Sequence, residues 1–210
     1  MIHLTAFLGL LDAVPVAPDA EQLYDASTPD GALRRSNLLR FLSLVDERRP
    51  DAVLIGEAPG WRGNTNTGIP FTSVRELSGR PGLVTGHPDG DGFLAPEHPT
   101  APWEASSASV WKALGQWERP LPFIWAISPT HLFVAGDRLT NRTPRPDEVR
   151  AGTPVALELI RASGVETVIA IGRKAEHALA ASGVEAVAVR HPAQGGAAVF
   201  AEQMAALGRG

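Results

Sequence analysis

The sequence predicts an α/β protein: a three-layer α/β/α sandwich on a central, mostly parallel four-stranded sheet, in a single domain over residues 1–210. Three observations lead there. Short continuous apolar runs at residues 52–56, 123–127, 167–171 and 186–189 are bounded by turn residues. Segments of helical periodicity alternate with them, which implies right-handed crossovers and helices on both faces of the sheet. The 210 residues suffice for one substantial core, and no internal repeat or Gly/Ser-rich linker divides them.

Each element follows from its residues. Residues 1–29 are apolar, then dotted with Pro and Asp, and read only as a helical or irregular lead-in. Over residues 31–49, Leu33, Leu38, Leu42 and Val45 recur at helical spacing, and Pro50 ends the pattern. Residues 52–56 form a first strand, buried on both faces. Pro59, Gly60, Gly63, Gly68 and Pro70 make residues 57–71 a loop, after which Thr72 or Ser73 caps a helix through Leu77. Residues 79–102 show no periodicity and form a long excursion of the kind that is often functional. A helix is expected over 106–117, with Val110, Trp111, Leu114 and Trp117 on one side, and a second strand over 123–127. Asp147, after Pro144 and Pro146, starts a helix through Arg161 that Gly164 stops. Strands at 167–171 and 186–189 and helices at 173–181 and 196–207 complete the alternation.

Composition narrows the function classes. Hydrophobic residues at 44% and charged residues at 20% are the balance of a folded globular chain. No apolar run approaches the ~20 residues that cross a bilayer, so no membrane partner and a cytoplasmic location are expected. The chain has no cysteine, which excludes disulfides, thiolate zinc sites, cysteine-held clusters and a cysteine nucleophile. Its six histidines form no HxH or HxxxH pair, and no metal or cofactor is expected. A net charge of −4 argues against a surface coated with positive charge. Nearly all basic residues are arginines, Lys112 and Lys174 being the lysines, and Arg62, Arg138, Arg142, Arg145, Arg173 and Arg190 fall near predicted strand ends. They form either a local phosphate-binding stripe or an ordinary solvated surface.

In open parallel sheets, ligands bind outside the carboxyl ends of the strands. Glu57 follows the first strand and His191 the fourth, so topology alone brings both to one edge. Dinucleotide-binding, P-loop and GxSxG signatures are missing. Gly172-Arg173-Lys174 at a helix start is by itself weak evidence for an anion site.

Gly56-Glu57-Ala58-Pro59-Gly60, followed by Thr67-Gly68-Ile69-Pro70-Phe71, resembles the first motif of the uracil-DNA glycosylase superfamily, particularly its thermophile-type branches. His191-Pro192-Ala193 resembles that family's HPS motif. The segment from Asn141 to Glu148 is similar to its NRxPxPxE segment, and Ile169-Ala170-Ile171-Gly172 to the strand before the penultimate helix. The resemblance covers roughly residues 53–196, in the family's order. It implies a monomeric, monofunctional glycosylase that hydrolyses the N-glycosidic bond of uracil or a related deaminated base, with DNA containing a damaged base as its partner.

The resemblance also implies roles. Glu57 and His191 would be catalytic; Gly56, Ala58, Pro59, Gly60, Phe71 and Ser128 would bind substrate; Arg62, Arg142, Arg190, Pro192, Gln194 and Gly195 would contact DNA. Cleaving the bond leaves positive charge on the sugar and negative charge on the base, which a carboxylate and an imidazole N–H respectively stabilise. Phe71 would stack on the extruded base. The bland readings stay open: Glu57 as a cap on loop amides, His191 as a turn residue before Pro192, Phe71 as core. Three departures stand out. The branches' four cluster cysteines are missing, Ile127-Ser128-Pro129 stands where the family typically has a base-reading asparagine, and Ala193 replaces a serine. They keep alive a non-cleaving member that binds DNA or a nucleobase, and an enzyme for hypoxanthine or xanthine.

Overall fold

The structure, a computed structural model, describes residues 2–209. Along the chain run α1 (Thr5–Asp12), β1 (Ala20–Glu21), α2 (Pro29–Asp46), β2 (Ala52–Gly56), α3 (Asn64–Thr67), α4 (Val74–Gly79) and α5 (Ala105–Leu114). Then follow β3 (Phe123–Ala126), β4 (His131–Leu132), α6 (Pro146–Ser163), β5 (Thr167–Ile171), α7 (Arg173–Ala181), β6 (Val187–Val189) and α8 (Ala197–Gly208). The four apolar runs pair in the order β3-β2-β5-β6, every pair parallel, with Ile55 beside Trp125 on one side and Ala170 on the other. Successive side chains of a strand point to opposite faces, yet every residue of β2 and β3 is buried, so helices cover both faces. At the edge the cover thins, and Val187 of β6 is 45% exposed.

Local chemistry sets the helix ends. Pro29 opens α2 behind Thr28, whose hydroxyl accepts from the Gly31 N–H at 3.1 Å. The Ser73 N–H donates to the Glu76 carboxylate at 3.0 Å at the head of α4, the reciprocal bond of a capping box. Gly164, at φ 62°, closes α6 in the left-handed conformation expected of a glycine C-cap. The helix expected over 106–117 runs Ala105–Leu114, leaving Trp117 beyond its end. No helix among the described residues is long and apolar enough to cross a membrane.

The lead-in is more ordered than its residues suggest. Phe7 of α1 meets Trp125 edge-on at 5.0 Å, and Tyr24 lies 5.8 Å from the same indole. β1 pairs antiparallel with β4 in a second, two-stranded sheet that sequence patterning does not reveal, two residues being too few to show an alternation. Charge holds this sheet. Arg142 reaches Asp19 at 3.0 and 3.1 Å and Glu148 at 2.6 and 2.7 Å, and Arg145 joins both acids. Burial pushes the Glu21 carboxyl of β1 up, but the His131 ring, Arg34 and Arg138 together pull it down to about 2. A carboxyl so depressed stabilises the fold fully above its unfolded range near 4.5 and loses that contribution as pH falls toward 2.

The long excursion is irregular, as expected, but pinned. The Asn37 amide donates to Leu94 O at 2.7 Å and accepts from the Leu94 N–H at 2.8 Å, while Asp91 accepts from the backbone of Val84 and Thr85.

Candidate active site

At the carboxyl edge of the sheet the chain leaves β2, β3 and β6 through adjacent loops. The first two are spliced together: the Ile127 N–H donates to Gly56 O and the Ser128 N–H to Glu57 O, both at 2.9 Å. Between them and the loop after β6 opens a cleft of about 300 Å³, lined by Glu57, Ala58, Pro59 and Gly60 from one strand end and by His191 and Ala193 from the other.

Phe71 lines the same cleft, its ring centroid 6.1 Å from that of His191 and tilted 45° to it. Its φ of 52° is left-handed, a strained conformation for a bulky residue that persists where surrounding structure over-determines it. The cause is visible at Gly56. A Cβ there would come within 2.6 Å of the Phe71 ring, so only glycine lets the ring lie across the end of β2. Gly56 therefore sits beneath Phe71 rather than in the cleft wall. Gly60, by contrast, is in the wall, where its bare backbone admits the Glu104 carboxylate.

The electrostatics of the two central groups diverge. Burial pushes the Glu57 carboxyl up, and Lys174, near the start of α7, partly offsets the rise. Burial pushes the His191 ring down, with the neighbouring Arg190 charge adding to the fall. His191 Nδ1 accepts from the Ala193 N–H at 3.1 Å. In a neutral imidazole that bond fixes the proton on Nε2 and makes Nε2–H the ring's donor.

Other expected residues are placed differently. Ser128 does not reach the cleft: it is 1% exposed, and its hydroxyl pairs with that of Thr130 at 3.2 Å. Its expected contact with substrate is corrected on that ground, because the splice to Glu57 O turns this segment inward. Arg142 touches the cleft wall, but its guanidinium is committed to Asp19 and Glu148, so its expected contact with DNA gives way to a structural one. Arg138 and Arg145 are likewise tied, to Glu21 and Asp19. Of the expected arginine stripe, Arg62, Arg173 and Arg190 keep exposed side chains and form no salt bridge among the described residues, Arg62 stacking 4.4 Å over the Trp61 ring. Pro192 is buried, and Gln194 and Gly195, at φ 53° and 76°, form the exposed tip of the turn after His191.

Several polar residues of the cleft were not expected as site residues, among them Asn64, Glu104 and Asn141. Glu104 stands at the head of α5 and accepts from the Ser107 hydroxyl at 2.7 Å. Burial pushes its carboxyl up against that hydrogen bond; Glu76 adds to the rise and Arg62 opposes it. Asn141 accepts from the Trp61 N–H at 3.0 Å and so ties the NRxPxPxE segment to the first loop. The signals were present but weak: an acidic residue three before Ser107, an asparagine between the two halves of the first motif, and another at the head of the NRxPxPxE segment. The cysteine-held cluster of the thermophile-type branches does not fit this chain, which offers no thiolate to hold iron.

The sequence pattern described as the uracil DNA glycosylase superfamily matches residues 42–202. No curated protein sequence matches the chain. Among solved structures, the fold is similar to the crystal structure of wild-type Pedobacter heparinus SMUG2, with a TM-score of 0.65, at 14% identity, over 96% of this chain and 94% of that one.

Proposed function

The chain belongs to the uracil DNA glycosylase superfamily, and we propose that within it this protein hydrolyses the N-glycosidic bond of uracil or a related deaminated base in DNA. One observation carries the reading: a half-buried carboxylate, an imidazole with its donor nitrogen free and an aromatic ring converge on one cleft from separate parts of the chain.

The chemistry follows from their states. As the C1′–N bond breaks, its electron pair leaves with the base and C1′ gains oxocarbenium character. Water then adds to C1′ and gives up a proton. Glu57, in its ionised form, orients that water and offsets charge on the sugar. His191, kept neutral by burial, donates Nε2–H to a ring oxygen of the departing base, where negative charge grows. Phe71 replaces the stacking that an extruded base loses. Arg62, Arg173 and Arg190 face the phosphates on either side.

The test is an excision panel. Duplex and single-stranded oligonucleotides, each with one uracil, hypoxanthine or xanthine, are incubated with the purified chain and treated with alkali to cleave abasic sites. Strand scission at one or more of these bases is expected. Scission at none, with DNA still bound, would replace this reading by a superfamily member that binds without cleaving.

A further inference from the structure

We propose that a groove beside the cleft, built on Trp103 and Arg75, is a subsite for a nucleotide flanking the extruded one: its base stacks on the exposed indole and its phosphate pairs with the guanidinium. The inference rests on the glycosylase reading and adds to it a contact with the DNA strand outside the base cleft.

Trp103 is 40% exposed, although a ring with that much apolar surface is usually mostly buried. The other tryptophans are engaged within the protein. Trp111 and Trp125 are buried, the Trp117 N–H donates to Pro120 O at 3.1 Å, and Arg62 covers the Trp61 ring. Trp103 instead forms a wall of a groove of about 320 Å³ that it shares with Arg75, Arg80 and Trp111. The backbone beneath is fixed. The Arg75 N–H donates to Pro102 O at 2.9 Å, which brings Arg75 next to Trp103, and the Trp111 N–H donates to the Thr72 hydroxyl at 2.9 Å. Both anchors join the groove to the cleft, because Thr72 follows Phe71 and Trp103 precedes Glu104, two residues of the cleft lining.

Charge selects the occupant. Arg75 and Arg80 are exposed and form no salt bridge among the described residues; Arg80 donates to a neutral acceptor, Trp111 O, at 3.2 Å. Glu76, which also lines the groove, is buried and accepts from the Ser73 N–H in the cap of α4. An exposed indole beside two such arginines matches a nucleotide, whose base offers a π-face and whose phosphate offers an anion. An apolar peptide would cover the guanidiniums without pairing them, and a bare phosphate would make no use of the ring. The subsite also answers a cost of extrusion. When one base leaves the stack its neighbour loses a stacking partner, and Trp103 supplies a replacement, as Phe71 does for the extruded base itself. Stacking tolerates any base, so this subsite holds the strand without reading its sequence.

The experiment reads binding apart from cleavage. The full chain is titrated with single-stranded oligonucleotides carrying one 2′-fluoro-2′-deoxyuridine, in which the fluorine disfavours charge at C1′ and suppresses cleavage. The base of the nucleotide on its 5′ or its 3′ side is either kept or replaced by a tetrahydrofuran abasic residue. The wild type is expected to lose about 5- to 150-fold in affinity when one of these neighbouring bases is removed, the worth of one stacked base. Trp103→Ala should bind the intact oligonucleotide correspondingly more weakly and lose nothing further on that removal, and Trp103→Phe should restore part of the dependence. Arg75→Ala should keep the dependence and reduce the log–log salt slope by about 0.7, one phosphate contact fewer on a single strand. Wild-type affinity indifferent to both neighbouring bases, or a folded Trp103→Ala protein with the wild-type dependence, would overturn the proposal. If Trp103→Ala melts below the assay temperature, Arg75→Ala decides, an unchanged salt slope overturning it. Excision of uracil or a related base by a protein indifferent to its neighbours would remove the subsite and leave the glycosylase reading; a dependence carried by Trp103 without excision of any base would do the reverse.

Discussion

The cleft has two walls of different origin. Strand ends make one: Glu57 follows β2, His191 follows β6, and Phe71 folds back across the end of β2. Segments outside the sheet make the other: Asn64 on α3, Glu104 at the head of α5, and Asn141 before α6. The first wall inherits its position from backbone pairing, which fixes parallel strand ends at one edge whatever the side chains do. The second depends on side-chain bonds that span much of the chain, from Tyr24 to Asn64 and from Asn141 to the Trp61 backbone. The division assigns bond-breaking to the strand-end wall. Substitutions in the first should slow chemistry with little effect on which base is bound.

The largest effect that sharpens this contrast lies at Glu57. Glu57→Gln keeps the shape and removes the charge, and single-turnover excision should fall by about 100- to 10,000-fold. Because burial raises the carboxyl above its ordinary range, the wild-type rate should already decline on the acid side at a pH above that range, as the carboxylate takes up a proton. The His191 ring, pushed down, also protonates only on the acid side, so neither group produces an alkaline fall near neutrality. A rate profile rising toward low pH would break the assignment.

A smaller effect separates structural from DNA-facing arginines. Arg142→Ala removes the cation between Asp19 and Glu148 and should lower stability by about 2 kcal/mol, read as a drop in the thermal midpoint. The dependence of DNA affinity on salt should stay as it was, since that guanidinium is already paired within the protein. Smaller still, Arg190→Ala should leave the midpoint in place but reduce the log–log salt slope by about 1, one phosphate contact fewer. Interchanged results would mean that the inward network opens when DNA binds.

The same contrast explains what could be read from the residues alone. The sheet, its parallel order and the Glu57–His191 edge were legible because continuous apolar runs and alternation with helices constrain backbone topology. Phe71 was legible through its motif. Asn64 was not, since its position depends on a tyrosine forty residues earlier in a lead-in without periodicity. Arg142 misled for a related reason: an arginine after a strand looks the same in sequence whether it faces phosphate or two internal acids. Asp19 and Glu148, its partners, lie far apart along the chain and meet only when β1 pairs with β4.

The central claim is that the strand-end wall acts on the transition state, and His191 tests it most directly. Its Nε2–H is assigned to the departing base, where charge appears only as the bond breaks, so its loss belongs to the chemical step rather than to binding. The measurement is single-turnover excision by His191→Ala beside its affinity for the same uracil-containing oligonucleotide, with folding checked by thermal melting because Pro192 constrains the turn. The account predicts a loss on the order of 100- to 1000-fold in rate with affinity nearly unchanged. A folded His191→Ala protein that excises uracil at the wild-type rate, or one that loses rate only in proportion to lost binding, would contradict it.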